Sequence, residues 1–410
     1  MTKIIHRRDF LKLAGAASAG LALSACGVKA TELPEPTVTA FPSLTPIPPT
    51  ATLTNTPAPA ATLGTPTTLK EIAQRHGIII AGDYSRDDKS ILPYLPQWIN
   101  ANFNGVFMED VRPIQLRRAI DDNTGDNGWE YVQRVTKVLK EMQLPSIWYF
   151  LAEPGRFEHL KTLEAFKYHA GRTLDEIKYV GEFVYWNAFN EPGDGGYDPT
   201  ANPLVSWLGK DWLYQLYLIL DELALERGLT IGKDFAVMVN LFLEPSMTDV
   251  MRKDHDFVTD TNIRLGNSHA GWMVSNQVRW AHDGKLSGRD FIEPSSTEEI
   301  FKLCDTLAEI NPQQPIVLTE LQAGQNDTPQ QRAEILGKKI GEIIRWSDEK
   351  KSVGQFGVAA LSFLYFLTTC YQPENIQFCF GNVGFFDTAK GQLTDAGHLL
   401  IETINAQLTG

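Results

Sequence analysis

Apolar residues along this chain fall into two alternating rhythms. Short runs of β-branched, aromatic and aliphatic residues lie at Ile78–Gly82, Gly105–Glu109, Ser146–Leu151, Phe183–Asn190, Phe235–Leu241, Ile263–His269, Pro315–Glu320 and Val358–Phe366. Each has the length and composition of a buried strand. Between them, apolar positions recur at helical spacing. Trp129, Val132, Val135, Val138, Leu139 and Met142 form one such set, and Leu213, Leu216, Tyr217, Leu220 and Leu223 another. A last set holds Leu393, Ala396, Leu399, Leu400 and Ile404. These stripes predict amphipathic helices. Eight strands alternating with helices predict an α/β fold, a (β/α)8 TIM barrel, over residues 69–410. An open doubly wound sheet commonly places a glycine-rich phosphate loop after its first strand. Gly82-Asp83-Tyr84 stands there instead and makes no such cradle.

The first residues follow neither rhythm. Arg7-Arg8-Asp9-Phe10-Leu11-Lys12 precedes an apolar run of 13 residues, Leu13 to Ala25. A spanning helix needs about 20 residues, so the run predicts a signal-peptide core. The paired arginines resemble a twin-arginine export signal. The run closes on Leu23-Ser24-Ala25-Cys26-Gly27, which resembles a bacterial lipobox. Residues 1–25 are therefore expected to be a signal peptide, cut before Cys26, with Cys26 lipidated and the mature chain anchored outside the cytoplasm. Residues 26–68 form a linker. Its stretch from 31 to 68 holds nine Pro and twelve Thr, with only Glu32 and Glu35 charged. So little apolar surface does not offset the entropy of ordering. Proline keeps the segment extended, as a stalk between membrane and barrel.

Charge narrows the partners. The formal net charge is −13 and no Lys/Arg cluster occurs. Nucleic acid is therefore not an expected partner, because phosphate contacts need basic side chains. A neutral substrate suits the charge better than an acidic polysaccharide. Four cysteines, Cys26, Cys304, Cys370 and Cys379, are too few for a disulfide-built fold. None has CxxC spacing, so neither a zinc site nor another metal or cofactor is expected. Cys370 and Cys379 would form one bridge or remain two buried thiols. A monomer is the expectation.

In a barrel, catalytic side chains stand at the carboxyl ends of the strands. The expected second strand ends in Glu109, the fourth in Asn190 followed by Glu191-Pro192. The fifth contains Asn240, the sixth ends in Asn267-Ser268-His269, and the seventh in Thr319-Glu320. Carboxylates in a partly dry rim must be paired, hydrogen-bonded or protonated. Such glutamates can simply hold loops through ion pairs. Two of them facing each other are what glycosidic bond cleavage needs: one protonates the leaving oxygen, the other attacks the anomeric carbon or activates water.

Asn190-Glu191 at strand four and Glu320 at strand seven resemble the clan of retaining (β/α)8 glycoside hydrolases. Several further stretches resemble family 10, the endo-1,4-β-xylanases. They are Leu69-Lys70-Glu71-Ile72-Ala73, Asn102-Phe103-Asn104 leading to Glu109, Trp207-Leu208-Gly209-Lys210-Asp211, Asn267-Ser268-His269, Pro315–Leu321, and Gly384-Phe385-Phe386-Asp387. The resemblance spans roughly residues 69–407. It implies an enzyme that cleaves a β-1,4-linked polysaccharide, with Glu191 as acid/base and Glu320 as nucleophile. Asn190 would bind the hydroxyl beside the reacting carbon, His269 would hydrogen-bond Glu320, and Glu109 would contact sugar. Asn240 is similar to an Asn of the family's fifth strand.

The chain departs from the pattern at sugar-binding positions. Strand three reads Ile147-Trp148-Tyr149-Phe150 without the family's His, Asp110 and Pro113 replace an Asn and a Lys, and the strand-eight Trp is absent. Another β-glycan is thus an open alternative, as is a barrel that binds glycan without cleaving it. Trp272, just past His269, is the expected sugar platform, since an aromatic face covers the apolar face of a pyranose. Trp212 and Trp346 lie on helical stripes and are expected in the packing.

Overall fold

The computed structural model describes residues 65–85, 95–108, 127–148, 162–190, 200, 202–242, 270–275, 280–282, 289–291, 297–310, 315–321, 327–355, 357–363, 385–387 and 392–409. Cys26, Cys370 and Cys379 lie outside these residues. Helix α1 (Leu69–His76) opens on a reciprocal cap. Thr68 Oγ1 accepts from the Glu71 N–H at 3.1 Å, and the Glu71 carboxylate accepts from Thr68 N–H at 3.2 Å and Thr67 N–H at 2.6 Å. The Thr67 backbone donor leads in holding the Glu71 carboxyl below the usual carboxylate range. Two threonines that composition assigns to the linker are thus the cap of the first helix.

Eight parallel strands close a ring. They are β1 (Ile79–Ser85), β2 (Gly105–Met108), β3 (Ser146–Trp148), β4 (Val184–Asn190), β5 (Phe235–Phe242), β6 (Ala270–Ser275), β9 (Ile316–Leu321) and β10 (Val358–Phe363). Each pairs with the next, and β10 closes onto β1 through Ile79↔Ala360 and Ala81↔Ser362. The intervening helices are α2 (Leu95–Asn102), α3 (Asn127–Met142), α4 (Leu163–Val180), α5 (Pro203–Leu208), α6 (Trp212–Glu226), α7 (Thr297–Ile310) and α8 (Pro329–Ser352), with α9 (Asp395–Thr409) last. Two short antiparallel pairs, β7 (Trp280–His282) with β8 (Arg289–Phe291) and β11 (Phe386–Asp387) with β12 (Gln392–Leu393), stand outside the ring. Leu393, expected in the last helix, belongs to β12; its side chain still packs on the core.

Alternation along the strands splits the core in two. Ala81, Phe107, Ile147, Ala236, Met238, Val317 and Ala360 form the apolar filling inside the ring, with Ile79, Phe183 and Tyr185 against it. Their neighbours in sequence, among them Ile80, Val106, Trp148, Val184, Trp186, Val237, Leu318 and Leu361, join the helices in the larger outer layer. Trp212 and Trp346 are buried in that layer, as their helical spacing predicts.

The sixth strand requires a correction. It runs Ala270–Ser275, and residues 263–269, including His269, lie outside the described ones. Trp272-Met273-Val274 is the more apolar run of the two, but the weak Ala-Gly opening before it hides where the strand begins. Pairing decides instead: β6 registers with β5 from Val237↔Ala270 to Phe242↔Ser275, and with β9 from Trp272↔Ile316 to Ser275↔Thr319.

Candidate active site

The barrel filling turns polar toward the carboxyl ends. Asn187 on β4, Thr319 on β9 and Ser362 on β10 are fully buried. Ser362 and Thr319 each stand two positions beyond an interior residue, Ala360 and Val317. Asn187 follows Tyr185 in the same way. Such a layer forms a floor beneath the mouth. Sequence reasoning missed Asn187 and Ser362, although their two-residue spacing from interior apolar positions would have found them.

Two strands that bear the predicted acids are bulged. On β4, Asn187 pairs with Met238 and Phe189 with Val239, so Ala188 is an extra residue. Trp186, Ala188 and Phe189 all pack in the outer layer, as an insertion demands. The ladder then resumes with Asn190↔Asn240. The structure therefore brings these two predicted asparagines side by side, at the last residue of β4 and near the end of β5. Position 240 also shares the parity of Met238, an interior residue. On β9, Leu318 pairs with Leu361 and Leu321 with Phe363, so Thr319 and Glu320 stand opposite one residue of β10. Leu318 and Leu321 both face the outer layer despite their odd spacing. Bulges of this kind re-aim side chains at barrel rims.

Glu320 is the fifth residue of β9. Glu191, the residue after Asn190, lies outside the described residues, as do Glu109, after Met108, and His269. Trp272 is not on a loop past a strand. It sits within β6 in register with Val239 and Ile316, both outer-layer residues. The loop after β6 instead carries the β7–β8 hairpin, in which Trp280 pairs with Phe291 and His282 with Arg289. Loops that follow barrel strands build the catalytic face, and the sequence reading did not anticipate this hairpin.

Some motif residues turn out to be scaffold. Asn104 Oδ1 accepts from Ile80 N–H at 2.8 Å and its Nδ2 donates to the Ile78 carbonyl at 2.7 Å, while Phe103 is fully buried. Cys304 is a buried free thiol whose pKa burial pushes up to about 12, the neighbouring Asp305 charge adding to the rise. It is inert by that measure. Tyr185, inside the barrel, is likewise pushed up to about 12 by desolvation. Among the described residues no group of His, Cys, Asp and Glu is arranged to hold a metal.

Comparison with known proteins agrees with both ends of the chain. Residues 5–24 match the TAT (twin-arginine translocation) pathway signal sequence, which marks the chain for export across the membrane. No curated protein matches the sequence. Solved structures do match. An endo-1,4-beta-xylanase, XylE, from Penicillium canescens superposes with a TM-score of 0.58 at 13% identity, over 83% of this chain and 98% of its own. A glycosylated family 10 endo-beta-1,4-xylanase from Gloeophyllum trabeum gives 0.54 at 12%, over 83% and 99%. A psychrophilic family 10 endo-beta-1,4-xylanase gives 0.53 at 12%, over 82% and 99%. The chain has a (β/α)8 barrel fold. More narrowly, its fold is similar to that of these endo-xylanases.

Proposed function

We propose that this protein is a retaining glycoside hydrolase acting outside the cytoplasmic membrane on a neutral β-1,4-linked glycan, in the manner of an endo-1,4-β-xylanase. The observation that carries the proposal is the placement of two motifs. Asn190, which Glu191 follows, ends the fourth barrel strand, and Thr319-Glu320 stands just before Leu321, the last residue of the seventh. Both strands are bulged there. Two strands, β5 and β6, separate them around the ring of eight, a spacing that suits two carboxyls on different sides of the mouth. The xylanase-like fold supports the reading of that mouth as a glycan cleft.

In this mechanism Glu320 attacks the anomeric carbon and forms a glycosyl-enzyme. Glu191 starts protonated, gives its proton to the leaving oxygen, and then takes one from the incoming water. Retention requires the two carboxyls to be about 5–5.5 Å apart. A nearby Glu320 carboxylate and partial desolvation would both keep Glu191 protonated at the start. Asn190 would hold the hydroxyl beside the reacting carbon, with Asn240 next to it in the sheet. Glu109 and His269 would serve the sugar and the nucleophile respectively. Lipidated Cys26 and the linker to residue 68 would tether the barrel to the membrane surface.

Purified protein is incubated in parallel with xylan, mixed-linkage β-glucan and cellulose, and reducing ends are followed. Release from xylan that vanishes in Glu320→Ala is the expected result. Release only from another glucan would replace the substrate and keep the chemistry. Glycan binding without any release would replace the enzyme with a binding lipoprotein. Glu191→Ala should lose at least about 100-fold on natural glycans, the scale of general acid catalysis. It should lose much less on activated aryl glycosides, whose leaving groups need little protonation.

A further inference from the structure

Ser362 is fully buried, and among the described residues its Oγ has no hydrogen-bond partner. Leu361 and Phe363 on either side pack in the outer layer, whereas Ala360 belongs to the barrel interior. Alternation therefore turns Ser362 inward, one layer above Ala360 toward the carboxyl ends. A buried hydroxyl without a partner costs about 1–3 kcal/mol. Native structures keep few such groups, and each calls for a use.

The ladder shows what stands opposite. Toward β1, Ser362 registers with Ala81, which has no polar side-chain atom. Toward β9 it is the single residue facing the bulged pair Thr319 and Glu320. Its position is thus beside the bulged step of β9 that carries Glu320. Without the bulge, the β9 ladder would set one residue against Ser362; with it, the acid-bearing position joins the same step.

We propose that Ser362 is a positioning residue for Glu320, its hydroxyl donating to the Glu320 carboxylate when the site is occupied. The inference rests on the reading of Glu320 as nucleophile. A donor of this kind favours the ionised carboxylate and fixes the direction of the attacking oxygen. It gives a use to a hydroxyl that stands just above the apolar step of Ala360 and Val317.

The test compares wild type, Ser362→Ala and Glu320→Ala as whole protein, on aryl β-xylobioside and aryl β-cellobioside across pH, beside thermal unfolding. Wild type should turn over and Glu320→Ala should not. Ser362→Ala should fall roughly 10-fold in kcat/KM, with the acidic limb of its profile moved to higher pH. Its unfolding midpoint should not drop, because the deleted group has no hydrogen-bond partner among the described residues. An unchanged rate and profile in Ser362→Ala beside an active wild type would overturn this inference alone. So would a loss of rate that comes with a lower midpoint and an unmoved limb, which is a structural effect. A wild type with no turnover would overturn the reading of the site and this inference with it.

Discussion

Asn104 does with one side chain what a parallel ladder does with two backbones. It lies just before β2, where the pairing Ala81↔Gly105 begins, and it bonds both the carbonyl of Ile78 and the N–H of Ile80. Those two groups precede the first β1–β2 register pair, so the amide continues the ladder downward. Asn104→Ala should cost about 1–3 kcal/mol in denaturant unfolding, the range for leaving such groups unpaired. Asn104→Asp should cost at least as much, since it keeps an acceptor for Ile80 but sets a carboxylate against the Ile78 carbonyl. An unchanged midpoint in both would mean that water replaces the amide at no loss. The same residue shows where single-letter reading stops. The Asn102-Phe103-Asn104 stretch was legible as a family resemblance leading to Glu109, yet its work in this barrel is to stitch strands. Nothing in one sequence separates an amide kept for a backbone bond from one kept for sugar.

Between elements, two glycines of α8 let it pack closely on α9. A Cβ at Gly337 would stand 2.6 Å from Thr403 Cβ and 3.2 Å from the Leu400 carbonyl, and one at Gly341 would stand 2.4 Å from Gln407 Cβ. Neither neighbour is the far end of a flexible chain, so the helices would have to separate. Alanine gains up to about 1 kcal/mol per site in helix propensity, while overpacking costs roughly 1–3 kcal/mol. With both sites on one seam the second effect should win. Gly337→Ala with Gly341→Ala should lower stability by about 2 kcal/mol, the middle of that overpacking range, read as a drop in thermal midpoint. A raised midpoint would show the seam to be looser than its distances imply. Helices were the more legible elements, because 3.6-residue stripes such as Trp129 to Met142 admit few alternatives. Strands of the ring were legible where both neighbours are apolar. The sixth was misplaced because Ala270-Gly271 masks the start of the Trp272-Met273-Val274 run, and pairing with β5 and β9 sets its bounds. The bulges on β4 and β9 were not legible for the same reason: a bulge is a relation between two strands.

At the scale of the whole molecule, the chain's early and late segments are tied together. Beyond the β1–β10 pairing, Lys351 Nζ donates to the carbonyls of His76 and Gly77 at 2.9 and 3.0 Å, and Asn405 Nδ2 donates to the Pro66 carbonyl at 2.8 Å. The ring therefore closes only after β10 has been made, and α9 then ties back to residue 66. Twin-arginine export carries proteins already folded, so closure in the cytoplasm followed by export is a consistent sequence of events. This order gives the two motifs near the amino end separable roles. Arg7 and Arg8 lie within the matched signal at residues 5–24; Cys26 lies just after it and would act only once the barrel is across. Arg7→Lys with Arg8→Lys should leave folded, uncut precursor in the cytoplasm. Cys26→Ser should be exported yet recovered in the soluble extracytoplasmic fraction, while wild type should pellet with membranes and take up labelled fatty acid. The two variants together separate address from anchor. If Cys26→Ser still pellets with membranes as wild type does, the tether is elsewhere and the lipobox resemblance is accidental. If the twin-lysine variant is exported normally, the chain reaches the outside by a route that does not read those arginines, and folding before export is no longer implied.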